Sequence, residues 1–311
     1  MRNAFAEQIY DSANANDNVV LLSGDIGNKV FDNFKKSFPK RFYNCGISEQ
    51  NMTSVATGLA MSGLNPVTYT IAPFNTIRCL EQIRTGVAYH NVPVIIIGVG
   101  AGLAYAELGP SHHSCEDISF VRTIPNMTVL CPADRWEVKA SLKAAIQSNK
   151  PTYIRIGKKG EQVVHKKEIT NFKIGKPIKI KSGEKKVCIL STGNIMPEIL
   201  NTSDQLNKYK INPAVYSFHT IKPLNSSFLK RIFKQFDLIV TAEEHSIIGG
   251  LGSSISEWMV DHNIIEKKLL KIALPDKFFK LSGSHKFARD KLGISSNKIL
   301  KKILKLQKVK K

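Results

Sequence analysis

The run Val94-Ile95-Ile96-Ile97-Gly98-Val99 carries no polar side chain. A strand with no solvated face belongs in the middle of a parallel sheet, covered by helices on both sides. Parallel strands need crossover connections, and the flanking sequence supplies them. Val19 to Ser23 and Pro66 to Thr70 read as further strands. Ser48 to Met61 reads as a helix with Ser48 at the N-cap and small residues (Ala56, Gly58, Ala60) for close packing, and Asn75 to Tyr89 as the next helix. Val129-Leu130 leads through Pro132-Ala133-Asp134 into a capped helix over Arg135 to Gln147, and Thr152 to Ile156 is one more strand.

From Gly157 to Lys186 the pattern changes to ten lysines with little helical period, an exposed connection with room for one strand. A second alternating set follows: strands at Val187 to Ser191, Ala214 to Ser217 and Leu238 to Ala242, helices at Pro197 to Tyr209 and Gly252 to His262. No internal repeat is visible. A chain of 311 residues is about twice the usual domain length. The expected architecture is therefore α/β with two domains, each a mostly parallel sheet flanked by helices: residues 1–160, a basic linker over 161–186, and residues 187–311.

The net charge of +20 raises the question of nucleic acid. Lysine outnumbers arginine 36 to 9 and collects in Lys158 to Lys186 and in the tail Lys301 to Lys311. Base readers lean on arginine and interleaved aromatics, so no nucleic-acid partner is expected. The apolar stretch Val92 to Ala106 is too short and too interrupted by Pro93 and glycines to cross a bilayer, and Met1 to Tyr10 carries Glu7 and no leader-like segment. The expectation is a cytoplasmic chain without a membrane partner. Five cysteines, none in a CxxC spacing, suit free thiols.

The densest chemical signal is Gly46-Ile47-Ser48-Glu49-Gln50-Asn51-Met52, where Glu49 stands at a strand-to-helix junction among small and apolar residues. Desolvation there would keep a proton on the carboxyl. The alternative is an early-helix acid that complements the macrodipole. The long glycine-bearing loop Gly98 to Pro110 ends in Ser111-His112-His113, in the position where α/β sheets bind ligands. Adjacent histidines point apart on regular backbone, and His112, His113, Cys115, Glu116 and Asp117 lack a zinc spacing, so no metal site is expected in this chain.

Four segments in order, Gly46 to Met52, Thr68 to Gln82, Gly109 to Asp117 with Pro125 to Thr128, and Thr241 to Gly252, resemble the C-terminal half of transketolase. The resemblance covers nearly the whole chain and implies a pyrimidine-binding domain, a transketolase-type C-terminal domain and thiamine diphosphate as cofactor. By the match, Glu49 would touch N1′ of the aminopyrimidine and promote the tautomer that removes the thiazolium proton. Phe74 would stack on the ring, Ile71 would add apolar contact in place of the family's first Phe, and His112 would bind donor oxygens. Glu243, Glu244 and His245 are expected to shape the C-terminal domain. The diphosphate and Mg²⁺ are held in this family by a Gly-Asp-Gly motif and a downstream Asn in an earlier domain. This chain has only Gly24-Asp25-Ile26-Gly27, in the wrong domain. The resemblance therefore implies a split enzyme: an N-terminal subunit carrying GDG, the Mg²⁺ ligands on that partner, a shared cofactor and an α2β2 heterotetramer.

The pattern departs at the acceptor end. Where the family carries an acid before Gly-Pro-Thr-His this chain has Leu108, and where it carries a histidine eight positions earlier it has Gly100. The phosphate-clamping arginine falls at Lys158, with Arg155 three residues away, and Glu107 could stand in for the lost acid. The expected activity is transfer of a two-carbon ketol unit from a ketose to an aldose, the substrate being a sugar or sugar phosphate. The alternatives are a deoxyxylulose-phosphate synthase-like carboligase, a β subunit of a 2-oxo acid dehydrogenase, and a non-catalytic interaction subunit.

Overall fold

The computed structural model describes residues 1–27 and 29–307; the end of the basic tail lies outside them. The strands are β1 (Val19–Ser23), β2 (Phe42–Asn44), β3 (Asn65–Ile71), β4 (Ile95–Val99), β5 (Thr128–Leu130), β6 (Thr152–Ile156), β7 (Ile178–Lys181), β8 (Val187–Thr192), β9 (Ala214–Ser217), β10 (Thr220–Lys222), β11 (Leu238–Ser246) and β12 (Lys268–Leu274). The helices are α1 (Arg2–Ala15), α2 (Asp32–Ser37), α3 (Glu49–Met61), α4 (Asp117–Thr123), α5 (Arg135–Ser148), α6 (Met196–Asn207), α7 (Ser226–Gln235), α8 (Leu251–Asp261), α9 (His285–Lys291) and α10 (Ser296–Leu306). Among the described residues no helix is long and apolar enough to cross a membrane.

Two mostly parallel sheets result. The first has the order β10-β5-β6-β4-β3-β1-β2 and the second β12-β11-β8-β9-β7. The strand β4 lies fourth in the first sheet, every residue buried, as its composition demands. Two features depart from the expected division. The basic connection contains β7, which runs antiparallel to β9 and so belongs to the second sheet. The strand β10, from the second half of the chain, adds antiparallel to β5 and extends the first sheet. The expected helix over Asn75 to Tyr89 is a 3-10 turn (Ile77–Cys79) followed by a π-helix (Gln82–Ala88). Gly86 lies against Thr57 of α3, where a side chain would meet the Thr57 hydroxyl at 2.9 Å.

Buried charge joins the halves. Arg155 on β6 donates to Asp117 at the start of α4 (2.8 and 3.1 Å), and the Tyr153 hydroxyl donates to the same carboxylate (2.6 Å). The guanidinium also donates to the Ser114 carbonyl (2.9 Å) and, across the domain boundary, to the Glu244 carbonyl on β11 (2.8 Å). Burial opposes the charge on Arg155, yet the Asp117 carboxylate beside it holds the guanidinium above its ordinary value. Glu137 in the first turn of α5 accepts from Ser217 of β9 (2.9 Å) and bonds His165 of the connection (2.8 Å). In the C-terminal domain Glu243 accepts from the amides of Leu251 and Gly252 (2.7 and 2.8 Å), capping α8. Glu244 accepts from Leu103 N (2.8 Å) and pairs with His285 and Arg289, and burial alone would raise it, but the Arg289 guanidinium and the His285 ring hold it well below the carboxylate range.

Arg155→Met should leave Asp117 buried without its counter-charge and cost about 3 to 5 kcal/mol in urea unfolding, whereas the Asp117→Asn/Arg155→Met pair should recover part of the loss. Additive losses would mean that the pair is not coupled. Burial pushes the Glu243 carboxyl up to about 7. A raised folded-state value means that the native protein binds the proton more tightly, so this group's contribution falls as pH rises from about 4.5 to about 7 and is flat above. The stability difference between wild type and Glu243→Gln should therefore drift against wild type across that window by about 3 kcal/mol, read from urea titrations at several pH values.

Candidate functional site

Glu49 opens α3 immediately beyond the loop that leaves β2, and it is 3% exposed. Gly24, at the end of β1, packs close to it: a Cβ there would lie 3.2 Å from Thr70 Oγ1 and 3.4 Å from Glu49 Cγ. The Thr70 hydroxyl is buried without a partner among the described residues. The surroundings are less apolar than the sequence suggested, because Arg78 Nη1 donates to Glu49 Oε2 at 2.9 Å. Ser48 occupies the N-cap position but makes no side-chain cap.

Phe74 is placed by the turn after β3. The buried Asn75 amide donates to the Ile97 carbonyl of β4 (2.9 Å) and to Thr68 Oγ1 (3.2 Å), which pins the turn against the sheet. Thr76 Oγ1 donates to the Ala72 carbonyl (2.7 Å) and Phe74 N to the Ile71 carbonyl (2.9 Å). The partly exposed Phe74 ring then stands between two cationic or polar neighbours. The Arg78 guanidinium carbon lies 4.1 Å from its centroid on one side, and the His112 ring meets it edge-on at 5.3 Å.

The aromatic wall continues past His112. Tyr105 meets the His112 ring edge-on at 6.1 Å, and Lys158 Nζ lies 4.3 Å from the Tyr105 centroid. Lys158 donates to Glu107 Oε1 at 2.5 Å, and that bond holds the Glu107 carboxyl below its ordinary value. The Ser111 hydroxyl bonds His112 Nδ1 at 3.0 Å, which leaves Nε2 as the nitrogen for a ligand.

Of the residues expected from sequence, Glu49, Phe74 and His112 form one continuous group with Ile71 at its edge. Lys158 joins them only through Tyr105. Arg155 is a correction: its guanidinium is buried, 3% exposed, and spent on Asp117 and two loop carbonyls, so it does not face a ligand. Glu107, the other candidate for the missing acid, is paired with Lys158 at a partly exposed position. His113 is buried along the cleft with its ring 6.1 Å from that of Phe279, and Asp117 is committed to Arg155 and Tyr153.

Two contributors had escaped sequence reading. Tyr105 stands over Gly100, which has φ +72°, and any Cβ at that glycine would overlap the tyrosine ring. The signal was the glycine itself, since it leaves room for a large neighbour. The second is the segment after β12. A cleft of about 830 Å³, within the range of ligand sites, runs between Phe74, Ile77 and Arg78 of the first domain and Pro275, Phe278 and Phe279 of the second. Phe278 is 71% exposed on its rim.

Residues 1–160 match the family model described as transketolase, pyrimidine binding domain, and residues 176–299 match transketolase, C-terminal domain. A protein of Methanocaldococcus jannaschii described as a putative transketolase C-terminal section is 34% identical over 310 residues, 99% of this chain and 96% of that one. A 1-deoxy-D-xylulose-5-phosphate synthase of Natranaerobius thermophilus is 31% identical over 304 residues, and there the match spans 96% of this chain but only 47% of the synthase. A solved structure described as a split gene transketolase, inactive beta4 tetramer, superposes with a TM-score of 0.88 at 31% identity over 100% of this chain and 98% of that one. The pyrimidine-binding domain, the C-terminal domain and the near full-length match to a transketolase section place this chain in the transketolase family.

Proposed function

We propose that this chain is the pyrimidine-binding half of a thiamine diphosphate-dependent transketolase built from two kinds of subunit. Its reaction transfers a two-carbon ketol unit from a ketose donor to an aldose acceptor. The observation that carries the reading is the junction at the ends of β3 and α3: the buried Glu49 carboxylate and the Phe74 face stand together beside the cleft, within a match to the family's pyrimidine-binding domain. These residues fit an aminopyrimidine, a flat ring with a basic edge nitrogen: Phe74 offers stacking area, Ile71 an apolar border and Glu49 a hydrogen-bonding group for the ring nitrogen. When bound, thiamine diphosphate supplies a nucleophilic carbon that no amino-acid side chain provides.

Each residue of this chain has a definable task. Glu49 holds or moves a proton at the ring nitrogen, in a setting where water is excluded by Gly24, Thr70 and the first turn of α3. His112, steadied through Nδ1 by Ser111, presents Nε2 to a donor oxygen. Lys158 is a compact charge for an acceptor phosphate, and its partly exposed pair with Glu107 is weak enough to exchange. A dianionic diphosphate needs a cation and several donors. Mg²⁺ and diphosphate binding are assigned to an N-terminal subunit carrying GDG, in an α2β2 assembly. A synthase-like carboligation is the second reading, favoured by the 31% identity to the deoxyxylulose-phosphate synthase.

The test is reconstitution with a GDG-bearing partner chain and product analysis. Ketol transfer from a ketose is expected, and turnover of pyruvate with an aldose phosphate instead would establish the second reading. In that complex Glu49→Gln should slow exchange of the cofactor C2 proton by two orders of magnitude or more while assembly is unchanged. Exchange at the wild-type rate would make the carboxylate structural. Tyr105→Ala should raise KM for a phosphorylated acceptor several-fold, about 1 kcal/mol, because Lys158 loses its aromatic support, with the donor half-reaction unchanged. Tyr105→Phe should behave as wild type. Equal damage to both half-reactions by Tyr105→Ala would remove Tyr105 from the acceptor end.

A further inference from the structure

Arg78 makes two contacts at once. Its guanidinium donates to Glu49 Oε2 at 2.9 Å, and the same flat group lies 4.1 Å from the Phe74 centroid. A hydrogen-bond donor on a planar body, seated between a carboxylate and a phenyl face, is a fair description of the aminopyrimidine ring that the proposed function requires at these two residues. Arg78 also lines the cleft together with Phe74, whereas Glu49 does not line it and is reached only behind the guanidinium.

We infer that Arg78 is a placeholder for the cofactor ring: in the chain by itself it fills the ring's two anchoring points, and the ring enters only by displacing it. This rests on the proposed thiamine diphosphate reading. The construction suits a displaceable group. The Arg78 side chain is 43% exposed and borders the cleft, so it has room to swing, while the Glu49 side chain is 4% exposed. The backbone stays anchored during such a swing, because the Arg78 carbonyl accepts from Gln50 Nε2 at 3.0 Å and Arg78 N donates to the Pro73 carbonyl at 3.3 Å. A cation over an aromatic face at a partly exposed position is a modest interaction, and so is a half-exposed ion pair. Neither is a lasting obstacle to a ring that gains the same stacking area and a better-buried hydrogen bond.

The consequence is competition. A group that must vacate a site lowers the apparent affinity of the incoming ligand by the fraction of time it occupies that site. Removing it should tighten binding even though a native contact has been deleted. A residue that merely supports Glu49 would have the opposite effect.

The test uses the full chain assembled with its GDG-bearing partner, and thiamine diphosphate with Mg²⁺ is titrated calorimetrically. Arg78→Ala should bind about five- to tenfold more tightly than wild type, and Arg78→Met, which keeps the stem but neither donates nor carries charge, should do the same should the alanine variant fold poorly. Adding Phe74→Ala to either variant should abolish the gain, since the gain arises at the ring's own seat. Affinity unchanged or weakened in both single variants overturns the placeholder role. That failure is separable from failure of the functional reading, which would show as absence of cofactor binding by wild type and by Glu49→Gln alike after the GDG-bearing partner is added. A direct readout independent of turnover is the Arg78 Nε–H resonance of the arginine-labelled chain: it should shift on saturation with thiamine diphosphate, and an unmoved resonance at saturation also overturns the inference.

Discussion

Arg155 sits without water among groups from both halves of the molecule, and the geometry of the site depends on it. Its guanidinium holds the carboxylate of Asp117, the Ser114 carbonyl at the end of the long loop and the Glu244 carbonyl on β11. A buried ion pair contributes little net stability over a well-packed apolar pair, because desolvation consumes most of the attraction. What it supplies is direction. Donors in a rigid fork fix where the loop and the second sheet stand relative to β6. Glu244 extends the same tie: its carbonyl accepts from Arg155 while its carboxylate holds Leu103 N and pairs with Arg289. The loop carrying Tyr105, Glu107 and His112 is thus clamped at both ends by charge that cannot escape to solvent.

With the loop fixed, the wall follows as a chain of modest contacts. Arg78, Phe74, His112, Tyr105 and Lys158 alternate cation or imidazole with aromatic ring at separations of about 4 to 6 Å. No single contact in this series exceeds on the order of 1 kcal/mol at partial exposure. Together they let one end of the site carry a buried carboxylate and the other a partly exposed ammonium, with aromatic surface between.

Much of this arrangement was legible in the sequence, for reasons that also explain the rest. Strands such as Val19–Ser23 and Thr152–Ile156 are set by β-branched runs with breakers at each end, and they appear with the bounds read from sequence. The helix α7 could have been found from Phe228, Leu229, Ile232 and Phe233, all buried on one face, and α10 from Ile299, Ile303 and Leu304. The short β10 carries no such signal. It is a strand only because β5 offers it a free edge, a fact of tertiary structure. Glu49, Phe74 and His112, named from motif and position, lie along one stretch of the structure, joined through Arg78 and the Phe74 ring. The misassignment of Arg155 shows the limit of that reading: three residues of separation on a strand say nothing about whether a guanidinium faces a cleft or a buried aspartate. Nor does sequence show that Arg78, on the next turn, reaches back to Glu49.

The departures at the acceptor end change meaning once the neighbours are known. Read one position at a time, Gly100 is a histidine lost and Leu108 an acid lost, and both would weaken the grip on a sugar phosphate. In the structure Gly100 is the condition for Tyr105, since its positive φ and missing Cβ open the space that the ring fills. The ring in turn meets His112 and carries Lys158. Putting a histidine at position 100 would therefore evict the tyrosine and would not restore a family contact. Leu108 is different, being half exposed and carrying no charge, with the adjacent carboxylate of Glu107 paired to Lys158. One departure is an exchange of one ligand-facing group for another and the other is a real subtraction. On the proposed function, the acceptor end would be remodelled around an aromatic–ammonium pair, and its preference among sugars would follow the reach of Lys158 over Tyr105 rather than the two missing side chains.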